Sequence, residues 1–126
     1  MKIVIRAKNL ELTESIEKYL DEKLSSLEKF IGLLGNDEFD KGQTLAEIIV
    51  EVEKESNHHR KGDIFRSELQ VYLPGKNIVV EARSDDLYKA IVESKKELKL
   101  EIEQYKLKGI ERQRREQRKI KEDNKI

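Results

Sequence analysis

The dipeptide Pro74-Gly75 separates two runs of alternating apolar and polar residues, and this arrangement restricts the fold more than any other feature of the sequence. Proline presets φ at the first central position of a β-turn, and glycine accepts a positive φ at the second. In residues 64–73 the apolar positions fall largely on one face of a strand, because successive strand side chains point to opposite sides. Residues 78–83 can pair back against this run. The sequence therefore predicts an antiparallel hairpin with one apolar face.

Two further strands are predicted on the N-terminal side of the hairpin. Residues 2–7 place Ile3, Ile5 and Ala7 on one face. Residues 45–53 alternate an apolar face with a face that carries glutamates. The residues before this second run, 32–42, are acidic and rich in glycine, asparagine and aspartate, which suit turns. Both runs favour half-buried strands of the same sheet.

Two helices complete the pattern. Apolar residues recur at spacings of three and four over residues 14–31 and again over residues 87–108, which is typical of helices with one buried face. Thr13 is the candidate N-cap of the first helix, and Ser84 or Asp85 that of the second. The predicted order of elements is β-α-β-β-β-α.

This order favours an α+β fold in which two helices cover one face of a four-stranded sheet. Residues 1–108 are predicted to form this domain. Gly109 suits the position just after a helix end, and residues 109–126 are basic with few apolar side chains. Such a segment buries too little surface to order alone, so we expect a mobile basic tail, with a helical extension as the alternative.

Composition excludes several classes of protein. The chain has 126 residues and no cysteine, which excludes disulfides and thiolate metal sites. No run approaches the roughly 20 apolar residues of a membrane span, and the N-terminal apolar run is too short for a signal peptide. We therefore expect a cytoplasmic protein without a membrane partner.

Charge is unevenly distributed along the chain, although the formal net charge is zero. Residues 1–57 carry 8 basic and 13 acidic residues, a net of −5, whereas residues 58–126 carry 18 and 13, a net of +5. Such asymmetry indicates an electrostatic binding region in the second half of the chain.

Two motifs invite a metal-binding or catalytic interpretation. His58 and His59 are adjacent on a predicted loop and point in different directions, and no further ligand recurs at the spacing of a metal site. Asp85 and Asp86 lie where a helix cap belongs, with no nucleophile or glycine-rich phosphate loop nearby. We therefore predict a protein without enzymatic activity, metal, cofactor or small-molecule substrate.

Basic residues recur along the hairpin and the second helix. The helical lysines alternate with glutamates, so periodicity alone leaves a solvated face of ion pairs and a nucleic-acid-binding face equally open. The binding interpretation is favoured by the basic residues of the strands and loops, namely Arg60, Lys61, Arg66, Lys76 and Arg83. The strands can carry Arg66 and Arg83 to the helix-free side or the rim of the sheet. A basic track would neutralise phosphates and release counterions. Aromatic residues make up only 6% of the chain, so binding by shape and backbone is expected.

These residues resemble the ribosome hibernation-promoting factors, also called ribosome-associated inhibitors or sigma-54 modulation proteins. The resemblance covers roughly residues 1–108. It rests on the order and spacing of several short motifs, which are Ile3 to Thr13, His59, Lys61-Gly62, Pro74-Gly75-Lys76, Glu81-Ala82, residues 86–91 and residues 105–108.

The resemblance implies a β-α-β-β-β-α fold similar to a double-stranded-RNA-binding domain. It implies a translation inhibitor of stationary phase and stress that binds ribosomal RNA of the small subunit, in the channel of messenger and transfer RNA. Such a protein blocks initiation by occupancy. The chain resembles the short type, without the second domain that joins two ribosomes, and we expect a monomer off the ribosome.

Carried onto this chain, the basic RNA-contacting positions of the family fall on Arg60, Lys61, Arg66, Arg83, Lys89, Lys95, Lys96, Lys99, Lys106 and Lys108. Tyr88 resembles the family's aromatic residue at the start of the second helix, as either core or contact. An alternative from another class is a protein-interaction module that regulates a transcription or signalling partner, whose acidic surface would pair with the helix lysines.

Overall fold

The computed structural model describes residues 2–33, 47–55, 62–73 and 75–123. The predicted order of elements and the α+β fold class are confirmed. The strands are β1 (Lys2–Lys8), β2 (Glu47–Glu55), β3 (Ile64–Leu73) and β4 (Lys76–Ser84), and the helices are α1 (Glu14–Leu33) and α2 (Leu87–Asp123).

The four strands form one sheet in the order β1-β2-β3-β4. β1 and β2 are parallel, as expected for strands whose connection contains a helix, and the other two pairs are antiparallel. Gly75 has a φ of 76° between β3 and β4, as the predicted turn requires. The register aligns one apolar residue of each strand in a row across the sheet, namely Ile5, Val50, Leu69 and Val80. Most apolar positions of the four strands therefore share one face, whereas Val4, Ile49 and Val79 lie on the other.

The hydrophobic core lies between this apolar face and the two helices. α1 contributes Leu20, Leu24 and Leu27, each at most 1% exposed. α2 contributes residues at the same spacing, and the strands complete one continuous cluster with them. Full burial of a leucine side chain contributes about 2 kcal/mol, so the helical stripes hold both helices on the sheet.

One polar pair lies inside the core. The Oγ atoms of Ser67 in β3 and Ser94 in α2 are 2.9 Å apart, and both side chains are fully buried. The Ser94 hydroxyl also approaches the carbonyl oxygen of Ile91 at 2.9 Å. A buried hydroxyl without a hydrogen-bond partner destabilises a fold by about 1–3 kcal/mol. The contact between the two serines avoids this loss and links the hairpin to α2.

The two helices begin at side-chain caps. The backbone N–H of Ile16 donates to Thr13 Oγ1 at 3.3 Å, which confirms the predicted cap of α1. At α2 the cap is Asp86 rather than Ser84 or Asp85, because the N–H of Tyr88 donates to Asp86 Oδ1 at 2.8 Å. Only Asp86 directly precedes the first helical residue, so only its carboxylate reaches the free amides of the first turn.

The C-terminal end of α2 differs from the sequence prediction. The helix was expected to end near Lys108, with residues 109–126 as a mobile tail, but it continues to Asp123. Gly109 does not adopt a positive φ, so it does not cap the helix. The residues that follow are mainly arginine, glutamine, glutamate and lysine, which all favour helices. The structure thus has the helical extension that was the alternative, and residues 124–126 lie outside the described residues.

Candidate functional site: two charged faces

The sheet face away from the helices carries two charged rows. The register aligns one row across the four strands from Arg6 through Glu51 and Glu68 to Glu81. The next row runs from Lys8 through Glu53 and Arg66 to Arg83. As predicted, the strands bring Arg66 and Arg83 to the helix-free side, but they bring glutamates there as well.

Arg66 lies at the centre of these rows and is only 8% exposed. Its guanidinium binds carboxylates from three strands, at 2.9 Å for Glu53, 2.8 Å for Glu68 and 3.4 Å for Glu81, with Glu51 in direct contact. Burial by itself lowers the pKa of Arg66, but the hydrogen bonds to these glutamates outweigh burial and raise the pKa above its ordinary value. The donors of Arg66 are therefore already occupied within the protein.

Arg83 lies at the exposed rim of the same face. Its guanidinium donates to Glu81 at 2.8 Å and to Glu55 at 3.0 Å, and both hydrogen bonds raise its pKa. Glu81 in turn has a lowered pKa, chiefly because it accepts this hydrogen bond from Arg83. Five glutamates therefore surround the two arginines, and this part of the sheet face has no excess of positive charge.

The helix side of the molecule brings lysines of both helices together. Burial lowers the pKa of Lys95 on α2, and the nearby charges of Lys23 on α1 and Lys99 on α2 lower it further. We call Lys23, Lys95 and Lys99 the inter-helix lysine cluster. Three like charges from two elements raise the local positive potential, which favours an anionic partner on this side.

Two tyrosines adjoin the inter-helix lysine cluster. The rings of Tyr19 and Tyr88 are 4.6 Å apart between centroids and meet edge to face at 85°. Lys23 Nζ lies 5.4 Å from the centroid of the Tyr19 ring, within the range of a cation–π contact. Tyr88 is 39% exposed, so it packs against α1 while one side of it stays accessible.

An open cleft of about 390 Å³ joins the tyrosine pair to the rim of the sheet. Its lining residues include Tyr19, Tyr88, Lys89 and Arg83. Of the two predicted arginines of the strands, Arg83 therefore adjoins the helix side, whereas Arg66 is separated from it by the sheet.

The remaining predicted residues are distributed along α2 and beyond the described ranges. Lys96 pairs with Glu93 at 3.6 Å, and Lys108 is exposed. Lys106 Nζ is buried and has no hydrogen-bond partner among the described residues. Arg60 and Lys61 lie outside the described residues, as do His58 and His59.

The sequence prediction did not include Tyr19 and Lys23, which belong to this side of the molecule. Both are on α1, within the half of the chain whose net charge of −5 argued against a basic surface. A signal for them was present, since they lie four residues apart and immediately beside the apolar stripe of Leu20 and Leu24.

Two further observations limit the chemistry of the described part of the chain. No three side chains among its His, Asp and Glu residues form a potential metal-binding group. Across the same residues, no helix has the length and apolar character needed to cross a membrane.

The fold and its two faces define an α+β protein with an ion-paired sheet face and a helix side that carries the inter-helix lysine cluster. A family model described as "Sigma 54 modulation protein / S30EA ribosomal protein" matches residues 3–109, and the chain belongs to this family. The family predicted from the sequence motifs is thereby confirmed.

Known proteins similar to this chain include the ribosome hibernation promotion factor of Lactococcus lactis subsp. cremoris. It is 28% identical over 108 residues, which are 84% of this chain and 50% of the relative. The chain thus spans about half the length of this curated relative.

Two solved structures have a fold similar to that of this chain. The N-terminal domain of Protein Y from Thermus thermophilus has a TM-score of 0.58 and 26% identity, over 83% of this chain and 99% of that chain. A ribosomal subunit interface protein from Coxiella burnetii has a TM-score of 0.61 over 85% of this chain and 99% of that chain. Its identity is 18%, so this second likeness concerns the fold alone.

Proposed function

We propose that this protein is a ribosome hibernation factor. It binds ribosomal RNA of the small subunit in the channel of messenger and transfer RNA, and it blocks initiation by occupying that channel. It acts in the cytoplasm, without catalysis. Membership of the family and the name of the Lactococcus relative support the ribosome-associated role.

The observation that carries the RNA-binding part of this proposal is the inter-helix lysine cluster. Burial disfavours the charged form of Lys95, and Lys23 and Lys99 lie close enough to Lys95 to disfavour it further. Phosphate groups placed over the cluster would relieve this repulsion and would release their own counterions. The cluster therefore favours a polyanion over a neutral partner.

The charge distribution also favours one orientation of the protein on RNA. The glutamates around Arg66 and Arg83 oppose the approach of phosphates to the sheet face, since like charges repel. We propose that the helix side faces the RNA through the inter-helix lysine cluster, Tyr88, Lys89, Lys96 and Lys108, with Arg83 at the rim. The Nζ atom of Lys106 is buried, so we leave this predicted contact out of the proposed surface. Arg60 and Lys61 stay predicted contacts, and Arg66 would organise the sheet face.

The test is binding of the full chain to purified small ribosomal subunits, measured by sedimentation at several salt concentrations. The wild type is expected to co-sediment at low salt and to dissociate as salt rises. Replacement of Lys95 and Lys99 by glutamine should weaken binding about tenfold and flatten the salt dependence, because each phosphate contact adds about 0.7–0.9 to the slope of log K against log salt.

The matched control replaces Lys2 and Lys8 by glutamine. It removes the same charge at two exposed positions of β1 on the sheet face, away from the helices. Binding of this control should stay within about twofold of the wild type. Sedimentation of the wild type as free protein at low salt would contradict the proposed function. Unchanged binding of the Lys95 and Lys99 variant would instead favour a protein-interaction module.

A further inference from the structure

The last part of α2 extends past the residues that pack on the sheet. Up to Tyr105 the inward positions of the helix follow one another at spacings of three and four, through Ile91, Ser94 and Leu98. These side chains are buried or half-buried. Beyond Ile110, every residue of the helix whose side chain is described is exposed.

The inward spacing continues beyond Tyr105, but its residues change from apolar to basic. The positions that follow at steps of three, four, three and four are Lys108, Arg112, Arg115 and Lys119. We call these four residues the basic stripe. All four are exposed, and none pairs with a carboxylate in the described part of the chain. Residues at this spacing lie on one side of a helix, so the basic stripe is continuous over about 16 Å.

Acidic residues flank the basic stripe without interrupting it. Glu116 lies beside Arg112 and Lys119, and Glu111 lies beside Lys108 and Arg115. The other basic residues of this segment, Arg114 and Arg118, point to a different side of the helix, because each step turns the chain by about 100°. One side of the extension therefore carries four positive charges, with one glutamate on each flank.

We infer that the basic stripe binds the phosphate backbone of RNA, as a second contact beyond the folded domain. This inference rests on the proposed function, since the RNA would be the one held by the helix side. Arginine favours phosphate because its guanidinium offers several donors in a planar fork. Nothing in the stripe encodes base readout, so the contact is independent of RNA sequence.

A membrane surface fits the same segment less well. A helix that lies on a membrane needs a broad apolar face beside its basic one. In residues 109–123 the only apolar side chains are Ile110 and Ile120. Repulsion between four neighbouring cations is better relieved by a polyanion in water, and RNA is the polyanion that the rest of the molecule favours.

The basic stripe also lies almost entirely outside the family match. The family model ends at residue 109, before Arg112, Arg115 and Lys119. Three of the four residues of the basic stripe therefore lie beyond the part of the chain that the family model describes.

The experiment compares two charge-matched variants of the full chain. Arg112→Gln with Arg115→Gln removes two charges from the basic stripe, and Arg114→Gln with Arg118→Gln removes two from another side. Glutamine resembles arginine in helix propensity, and circular dichroism checks that helicity is unchanged. Affinities for purified small subunits, and for protein-free ribosomal RNA of those subunits, are measured over a range of salt concentrations.

The stripe variant should bind both targets about tenfold more weakly, with a slope of log K against log salt reduced by about 1.4, and the other variant should stay within about twofold. Equal losses in both variants, or no loss in either, would overturn the inference while wild-type binding upholds the proposed function. A loss with subunits but not with protein-free RNA would overturn it in favour of an acidic ribosomal protein. Failure of the wild type to bind subunits would overturn both.

Discussion

At the scale of single residues, Arg66 shows how a buried charge can be held in place. Its guanidinium is almost fully removed from water, which is unfavourable for any charge without partners. Glu51 and Glu53 from β2, Glu68 from β3 and Glu81 from β4 supply the compensation. The arginine and its glutamates therefore depend on each other for stability.

We expect Arg66→Gln to lower the free energy of unfolding by about 2–4 kcal/mol in urea titrations near neutral pH. Removal of one partner from a buried ion pair is strongly destabilising, and the partial exposure of the glutamates moderates the loss. The control is Arg83→Gln, which removes a half-exposed ion pair and should cost about 1 kcal/mol or less. Equal losses in the two variants would contradict the central role of Arg66.

The pH dependence of this difference in unfolding free energy tests whether charge holds Arg66 in place. The pKa of Glu81 is lowered in the folded protein, so its contribution to stability is present above the ordinary carboxyl range. This contribution is lost as pH falls through the folded pKa. Arg66 contributes to this lowering, although less than Arg83, so the difference between the wild type and Arg66→Gln should narrow as the pH falls through the folded pKa of Glu81. A difference that stays constant with pH would show that packing, and not charge, holds Arg66.

At the scale of elements, α2 joins the core, the lysine-rich side and the basic stripe. Leu98 and Ile102 hold its inward face to the sheet, while Lys95 lies near Lys23 of α1. The packed inward face fixes the directions of these side chains about the helix axis. The cap at Asp86 stabilises the first turn of the same helix.

We expect Asp86→Ala to destabilise the protein by about 1 kcal/mol in thermal or urea unfolding, because the amide of Tyr88 loses its acceptor at 2.8 Å. Asp85→Ala is the matched control, since Asp85 is exposed and adjoins the cap without accepting a bond from the first turn. Its loss should stay within about 0.5 kcal/mol. The assignment of the cap fails if Asp85→Ala proves the more destabilising of the two.

At the scale of the whole molecule, the fold separates two electrostatic surfaces. The sheet lies between its ion-paired face and the helices that carry the inter-helix lysine cluster. A sheet and the layer packed on it are about 10 Å apart, which is about one Debye length at 0.1 M salt. Charges on the sheet face therefore act only weakly on a ligand at the helices.

Because of this separation, the position of a charged residue should affect RNA binding more than the net charge of the chain does. Glu93→Gln releases Lys96 from its ion pair on the helix side, and it should strengthen binding to small ribosomal subunits about twofold to sixfold at low salt. Glu47→Gln removes the same charge from the sheet face and should leave the affinity unchanged. Sedimentation or anisotropy titrations provide the comparison. Equal gains in both variants would mean that net charge alone governs binding, contrary to the proposed orientation.

Much of the fold was predictable from the sequence, because local patterns specify the elements. The alternation around Pro74-Gly75 and the helical spacing of Leu20, Leu24 and Leu27 each depend on neighbours a few residues away. The lysines of α2 and Tyr88 entered the predicted site through the resemblance to the family, and their role in binding stays a prediction. The end of α2 could not be predicted, since Gly109 is compatible both with a helix end and with a helix interior.

The sequence by itself determined the order of elements, the apolar face of each, and the family to which the chain belongs. Only the tertiary structure decided which charges meet. Residues 53, 66 and 81 come together through the register of three strands, and Lys23 meets Lys95 because two helices distant in the chain pack side by side. Periodicity describes one segment at a time, whereas the electrostatic character of a surface depends on distances between segments. Basic residues are therefore paired with glutamates on the sheet face and clustered with one another on the helix side.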